Sequence, residues 1–297
     1  MVSIEYINIA IFYFSGTGNT KEVAQIYASR LRQRQATVDL YQIEHILKNH
    51  IEIDFDKYEM LGFGFPVHAF SAPSIFYTFI HQIPNLTERK KSFLFKTMGD
   101  PLFFGGSTKK IRLMLKRKGY DIFHEDFLVM PSNIVIDYPK ELKNQLYHVA
   151  SRKINLYAYE ILNSKNKLQP NSKILNIISN VSSLLETIGA QYFGRYLIAD
   201  ENCTLCKQCI QLCPTNNITI KNDRIIFGDR CCFCMRCTYR CPEHAITNKY
   251  MNFMILRNQY QPVNKIITKE MKKEYITKKT RGYFKHFYKY LHNELYF

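Results

Sequence analysis

The placement of the nine cysteines constrains this chain more than any other feature. All nine lie between Cys203 and Cys241, and the first 202 residues contain none. An odd number of cysteines packed into so short a segment is not typical of scattered structural disulfides. The apolar stretch Ile9–Phe14 is too short for a secretory signal and lacks a basic flank, so we expect a cytoplasmic chain. In that compartment, clustered cysteines indicate metal binding.

Eight of the cysteines form two runs that share one spacing, C-x2-C-x2-C-x3-C-P. The first run contains Cys203, Cys206, Cys209 and Cys213, and the second contains Cys231, Cys234, Cys237 and Cys241. This spacing resembles the ligand run of bacterial-type ferredoxins. Three closely spaced thiolates can cap three corners of a cubane 4Fe–4S cluster, and the fourth has to approach from elsewhere. A pair of zinc sites is the alternative, but zinc ribbons usually pair two separated C-x2-C knuckles.

The ferredoxin resemblance implies two 4Fe–4S clusters in residues 198–250, within an α+β domain. In two-cluster ferredoxins the fourth cysteine of each run ligates the other cluster. The implied ligand sets are Cys203, Cys206, Cys209 and Cys241 for one cluster, and Cys231, Cys234, Cys237 and Cys213 for the other. The segments Ile218–Ile220 and Arg224–Phe227 flank a polar turn and predict a β-hairpin. Cys232 lies outside the pattern and is expected to be a packed or partly exposed free thiol, with a redox thiol as the alternative.

Residues 1–165 alternate between strand and helix patterns. The strand patterns lie at Ile9–Phe14, Thr37–Ile43, Tyr58–Val67, Lys91–Thr97 and Phe123–Met130. The helix patterns lie at Thr20–Arg34, Ser71–Gln82, Ser107–Gly119 and Pro139–Leu162. Such alternation predicts an α/β domain in which helices cover both faces of a parallel sheet.

A loop with two glycines follows the first predicted strand and opens onto a helix. Its residues are Ser15, Gly16, Thr17, Gly18, Asn19 and Thr20. The glycines allow a tight turn, and the free N–H groups of a helix N-terminus attract an anion, so we expect a phosphate here. The spacing matches neither the dinucleotide fingerprint nor the nucleotide-hydrolase loop. The alternative is a Ser/Thr-rich helix start that serves only as a cap.

This loop resembles the phosphate loop of flavodoxins. The resemblance implies a doubly wound five-stranded parallel sheet of order 2-1-3-4-5 with FMN at the carboxyl ends of the strands. Two later loops are then expected to flank the flavin ring. The implied residues are Pro66, Val67, His68 and Phe70 in one loop, and Met98, Gly99, Asp100, Phe103, Phe104 and Gly105 in the other. Because the chain has no Trp, Phe70, Phe103, Phe104 and His68 are the candidates to stack on the ring.

Taken together, the chain resembles flavodoxin–ferredoxin fusion proteins. The expected organisation is an FMN-binding domain at 1–165, a helical connector at 166–197, a ferredoxin domain at 198–250 and a basic aromatic tail at 251–297. The resemblance implies electron transfer between two 4Fe–4S clusters and FMN, with a separate redox partner. A reductase of a quinone or nitro compound is one alternative, which a walled pocket over the flavin would favour. A redox sensor that binds anionic lipid or nucleic acid is another.

The charge of the chain is strongly positive and unevenly distributed. The formal net charge is +16, and the tail at 251–297 holds ten Lys/Arg against three Asp/Glu. A basic surface predicts a partner with negative charge. We expect a redox protein with an acidic docking face, and we retain nucleic acid or an anionic membrane as alternatives. No apolar run approaches the roughly 20 residues of a transmembrane helix.

Overall fold

The computed structural model describes residues 6–170, 172–262 and 274–293, without the side chain of Phe103. Its largest element is a five-stranded sheet in which all strands are parallel and the order is β2-β1-β3-β4-β5. The strands are β1 (Ile7–Tyr13), β2 (Ala36–Gln42), β3 (Met60–Pro66), β4 (Lys90–Met98) and β5 (Tyr120–Val129). The predicted flavodoxin-like fold and strand order are confirmed.

Five helices cover the two faces of this sheet. They are α1 (Asn19–Arg32), α2 (Ile43–Asn49), α3 (Ser74–Gln82), α4 (Lys109–Arg117) and α5 (Lys140–Leu162). Successive side chains of a strand point to opposite faces. Ile9 and Ile11 therefore pack against α1 and α5, whereas Ala10 and Phe12 pack against the other three helices. The sheet is buried on both faces, and its carboxyl edge carries the loops that form the site.

A long helix connects this domain to the cysteine-rich segment. Helix α6 (Lys173–Arg195) begins at Ser172, whose hydroxyl accepts a hydrogen bond from the Leu175 N–H group. Only a narrow side of α6 is buried, at residues such as Glu186, Ala190 and Phe193. The connector predicted at 166–197 therefore contains one well-formed helix.

The cysteine-rich segment is built from short elements. Strands β6 (Leu197–Ala199) and β9 (Ile246–Asn248) pair antiparallel, and β7 (Ile218–Lys221) and β8 (Arg224–Phe227) form a hairpin at the predicted place. Helices α7 (Gln208–Leu212) and α8 (Arg236–Tyr239) lie within the two cysteine runs. A small apolar core, which includes Phe193, Ile218 and Tyr239, holds these elements together.

Part of the tail packs back onto the flavodoxin-like domain. Helix α9 (Phe287–His292) buries Phe287 and Tyr290 against β5 and α5. The Val129 N–H group donates to the Tyr290 hydroxyl over 3.0 Å. The tail residues 263–273 and 294–297 lie outside the described residues, as do residues 1–5 of the predicted first domain. In the part of the chain that the structure describes, no helix is long and apolar enough to cross a membrane.

Candidate cofactor-binding sites

The predicted phosphate loop joins β1 to α1. Gly18 precedes α1 with φ 115°, a left-handed conformation that glycine adopts without steric cost. Among the described residues no side chain caps α1. The N–H groups of its first turn therefore stay available to an anion.

Hydrogen bonds fix the side chains of this loop against neighbouring loops. The Thr20 hydroxyl lies 2.8 Å from the Thr97 hydroxyl at the end of β4. Asn19 donates from Nδ2 to the Pro131 carbonyl over 2.8 Å, and Asn133 donates to the Thr17 hydroxyl over 3.0 Å. The loop after β5 therefore supports the phosphate loop.

One polar atom of the loop is left without a partner. Ser15 Oγ is buried and makes no hydrogen bond within the described residues. A buried hydroxyl without a partner is costly, and it is usually satisfied by a ligand or an ordered water. A phosphate oxygen would satisfy this hydroxyl, so the loop fits the phosphate of FMN.

The loop opens into a pocket of about 650 Å³, a size typical of cofactor sites. The predicted residues that line it are Ser15, Gly16, Thr17, Asn19, Thr20, Pro66, Val67, His68, Met98, Gly99 and Asp100. Gly18 lies behind the loop, where its Cα faces the Pro262 ring. The structure thus brings most of the predicted FMN-binding residues together at the carboxyl edge of the sheet.

The aromatic candidates are placed differently from one another. His68 lines the pocket, but Phe70, Phe104 and Gly105 lie outside its lining. The Phe104 ring packs 5.6 Å from the Phe127 ring, in the core beneath the loop. The side chain of Phe103 lies outside the described part of the chain.

Two tyrosines that sequence analysis missed also line the pocket. Tyr138 follows β5 and donates to the Gly99 carbonyl over 2.5 Å, and burial raises its pKa. Tyr283 comes from the tail and donates to Asp100 Oδ2 over 2.9 Å. His286 Nε2 lies 2.8 Å from the same carboxylate. The tail therefore holds the loop after β4 in place.

The loop after β5 was also missed. Residues 131–136 line the pocket beside the phosphate loop. The signal that could have identified them is topological, because every strand of a parallel sheet ends at the same edge. The sequence Pro131-Ser132-Asn133 directly follows β5 and supplies two side chains suited to hydrogen bonding.

Segments from beyond the flavodoxin-like domain line the outer side of the pocket. Helix α6 contributes Leu185 and Glu186, the cysteine-rich segment contributes Phe233 and Cys234, and Met254 comes from the start of the tail. His68 Nδ1 lies 3.5 Å from the buried carboxylate of Glu186. The pocket is therefore partly open and carries an acid–imidazole pair.

The eight cysteines of the two runs gather around two separate cavities. One cavity is lined by Cys203, Cys206, Cys209 and Cys241. The other is lined by Cys213, Cys231, Cys234 and Cys237 of the two runs, and also by Cys232. We name these groups the outer set and the inner set. Each set takes three cysteines from one run and the last cysteine from the other, which is the crossed arrangement expected from the resemblance.

The chemistry of both sets fits a positively charged iron–sulfur core. Burial and the neighbouring thiols raise the pKa of Cys209 to about 11 and that of Cys231 to about 12. Bound metal would stabilise the thiolate forms that burial disfavours. In the described residues no three His, Cys, Asp or Glu side chains converge to hold a single metal ion.

Cys232 is buried beside the inner set. Its side chain is 1% exposed and packs in the core cluster that lies between the inner set and helices α2 and α3. The neighbouring Cys232 thiol lowers the pKa of Cys234. Cys232 therefore influences Cys234, a cysteine of the inner set.

The inner set directly adjoins the phosphate loop. A Cβ atom built on Gly16 would lie 2.4 Å from the Cys234 carbonyl oxygen, so the two backbones touch. Arg236 donates to the Ser15 carbonyl over 2.6 Å and to the Gly16 carbonyl over 3.2 Å. Cys234 itself lines both the inner cavity and the pocket beside the phosphate loop.

Comparisons with known proteins agree with this description. A flavodoxin domain model matches residues 10–117, and a 4Fe-4S binding domain model matches residues 196–219. An uncharacterized protein of Methanocaldococcus jannaschii is 29% identical over 107 residues, which cover 36% of this chain and 64% of that protein. The chain thus spans less than two thirds of that relative.

Solved structures with similarity to the chain include flavodoxins. Oxidised flavodoxin 1 from Bacillus cereus is 15% identical with a TM-score of 0.38, and covers 52% of this chain and 97% of its own. An apo NADH:FMN oxidoreductase is 13% identical with a TM-score of 0.41, over 55% and 92% of the two chains. The two matched domains support a role in electron transfer, with FMN and a 4Fe–4S cluster as the indicated cofactors. The chain combines a flavodoxin domain with a 4Fe–4S ferredoxin motif, consistent with a flavodoxin–ferredoxin fusion.

Proposed function

We propose that the chain relays electrons between two 4Fe–4S clusters and FMN and exchanges them with a separate redox protein. The observation that carries this proposal is the position of Cys234, which lines both the inner cysteine cavity and the flavin pocket. When bound, the clusters carry single electrons and FMN accepts one or two, so together they connect one-electron and two-electron chemistry.

The residues of the chain would hold these groups as follows. The first turn of α1, together with Ser15 and Thr17, would bind the FMN phosphate. The loops after β3, β4 and β5 would orient the flavin ring. The outer and inner sets would each hold one cluster through four thiolates.

The exposure of the cysteines suggests where the partner docks. Cys206 of the outer set is exposed, whereas Cys213 and Cys234 of the inner set are buried. We infer that the partner meets the outer set, beside the exposed Lys207. A net charge of +16 favours a partner with an acidic face, and the cytoplasm is the compartment that keeps these thiols reduced.

The experiment that tests this proposal is cofactor analysis of anaerobically purified protein and its cysteine variants. We expect about eight iron atoms per chain, as two cubanes require. Cys213→Ser and Cys231→Ser should remove the same paramagnetic signal of the reduced protein, although these cysteines belong to different runs. Cys241→Ser and Cys203→Ser should remove the other signal.

Two results would contradict the proposal. Zinc in place of iron would overturn the cluster assignment. If Cys213→Ser and Cys203→Ser, which lie in the same run, removed the same paramagnetic signal, the crossed ligand sets would be wrong. Cys232→Ala is the matched control, and it should keep the full iron content because Cys232 occupies an x position of the second run and is not one of the eight expected ligands.

A second candidate function is the reduction of a small substrate such as a quinone or a nitro compound. The His68–Glu186 pair favours it, because a pocket of about 650 Å³ with a few converging polar groups can hold and orient a small substrate. The test is oxidation of the reduced protein by a soluble benzoquinone. Rates that saturate with quinone concentration would indicate a binding site, and rates that stay proportional to it would indicate a carrier.

A further inference from the structure

The outward face of α6 carries a continuous row of apolar side chains. Five of them are at least half exposed: Ile174 (70%), Ile177 (64%), Val181 (54%), Leu184 (65%) and Ile188 (54%). Leu185 and Tyr192 flank the row and are 62% and 46% exposed. Single exposed apolar residues are ordinary, but a contiguous patch of several hundred Å² marks an interaction site.

Charged groups do not interrupt this face. The only charged residues of α6 are Lys173, Glu186 and Arg195. The first and last lie at the helix ends, and Glu186 is buried beside His68. A helix whose outer face meets water normally carries charges there, so the face of α6 has the composition of a contact surface.

The spacing of the row is that of a helix–helix seam. One set of apolar residues recurs every seven positions, at Ile174, Val181 and Ile188. A second set lies three positions after the first two of these, at Ile177 and Leu184. This is the a/d pattern of a coiled coil, with β-branched residues at all three a positions. The pattern therefore specifies another helix as the partner of this face.

A second copy of the chain supplies that helix. Identical faces pack against each other in a twofold dimer, so a row that is complementary to itself needs no further partner. In an antiparallel arrangement, Val181 would meet the partner's Leu184 and Ile177 would meet the partner's Ile188. A standard interface buries roughly 800 Å² per subunit, and the row with Leu185 and Tyr192 beside it would supply the apolar centre of such an interface. An anionic membrane suits this face less well, because α6 carries no Lys or Arg between its ends.

We propose that α6 forms the interface of a homodimer. The interface would border the pocket at Leu185, which is 62% exposed and also lines the pocket. The interface itself does not depend on the proposed function.

The test is sedimentation velocity of the full chain, purified anaerobically, across a hundredfold range of concentration. We expect a wild-type dimer and a Leu184→Glu variant whose dimer dissociation constant is at least about 100-fold weaker, because a carboxylate would be buried in the seam. Leu113→Glu on α4 is the matched control, since Leu113 is 46% exposed and lies outside α6. This control should remain a dimer.

Iron content and far-UV circular dichroism separate a lost interface from a lost fold. Leu184→Glu should keep both at wild-type values. A wild-type protein that is monomeric throughout the range would overturn the proposal, and so would a Leu184→Glu variant that dimerises as tightly as wild type. Wild-type monomers that float with phosphatidylcholine–phosphatidylglycerol vesicles, and lose this binding in Leu184→Glu, would assign the face to lipid instead.

Discussion

At the scale of single residues, Arg236 connects more parts of the molecule than any other side chain described above. Its guanidinium donates to the Ser15 and Gly16 carbonyls of the phosphate loop, to the Leu212 carbonyl and to Glu44 Oε1. Leu212 directly precedes Cys213 of the inner set. Arg236 itself lies in the second run. Its planar guanidinium therefore holds the phosphate loop and both cysteine runs in fixed positions relative to one another.

The Arg236→Met variant should lose the hydrogen bonds that join the phosphate loop to the two cysteine runs, and it should keep all eight cysteine ligands. Glu44 is 2% exposed, and leaving it unpaired should lower the free energy of unfolding by about 3–5 kcal/mol. The double variant Arg236→Met/Glu44→Gln should regain part of this loss, as urea unfolding of the anaerobic protein will show. If the single and double variants lost the same free energy of unfolding, the unpaired Glu44 carboxylate would not be the cause of the destabilisation.

Lys96 provides a prediction on pH dependence. Burial lowers its pKa to about 7 from the usual 10.5, and its amine lies 2.8 Å from the Gly106 carbonyl and 3.0 Å from Gln169 Oε1. Between pH 7 and pH 10.5, Lys96 is protonated in the unfolded chain but largely neutral in the folded protein, so the unfolded chain binds one more proton. The contribution of this group to stability therefore rises with pH, by up to about 1.4 kcal/mol per unit.

The measurement compares wild type with Lys96→Met between pH 7.5 and 9.5. Other titrating groups are common to both proteins, so the difference between the two slopes isolates Lys96. The free energy of unfolding should rise more steeply with pH in the wild type. Equal slopes would mean that Lys96 keeps an ordinary pKa in the folded protein.

At the scale of elements, the phosphate loop depends on a backbone conformation that only glycine adopts readily. Gly18→Val should strain the loop by about 1–2 kcal/mol and bring a side chain towards the Pro262 ring, which lies 3.2 Å from the Cβ position. We expect FMN to be lost during purification of this variant. Flavin absorbance per mole of protein is the measurement.

Asn222→Val is the matched control for that variant. Asn222 also has a positive φ, of 49°, but it lies in the turn between β7 and β8. The control therefore introduces comparable strain away from the pocket, and it should keep its flavin. Tight flavin binding that survives in Gly18→Val would show that the loop has been assigned the wrong ligand.

The sequence predicts the elements whose signals are local, and it misses those that depend on tertiary contacts. The five strands and the phosphate loop follow from apolar runs and glycines that are adjacent in the chain. Helix α2 was missed because Ile43 begins it immediately after β2, without a turn between the two patterns. Tyr283 reaches the pocket from 183 residues beyond Asp100, and no local pattern indicates such a contact.

The pocket-wall residues illustrate the same limit. Phe70 and Phe104 lie in the predicted loops but outside the pocket lining, since loop position alone does not fix where a side chain points. Glu186 and Phe233 reach the pocket only because α6 and the cysteine-rich segment fold over it. By contrast, the crossed cysteine sets follow the resemblance, because the ligand spacing carries that information.

At the scale of the whole molecule, the two cysteine sets differ in their distance from the flavodoxin-like domain. The inner set packs against the phosphate loop through Cys234 and Gly16, and the outer set includes the exposed Cys206. Tail residues such as Tyr290 pack on β5. The order from surface to pocket is therefore outer set, inner set and the pocket that we propose for FMN, which is the order that the proposed relay requires.

The most direct test of the relay is rapid mixing of the oxidised, anaerobic protein with less than one equivalent of a one-electron reductant. Absorbance should show iron–sulfur reduction first and flavin reduction second, and the rate of the second phase should not change with protein concentration. Arg236→Met should slow this phase by roughly tenfold or more, because a small displacement of reacting groups is costly. A second phase that accelerates in proportion to protein concentration would contradict transfer within the molecule.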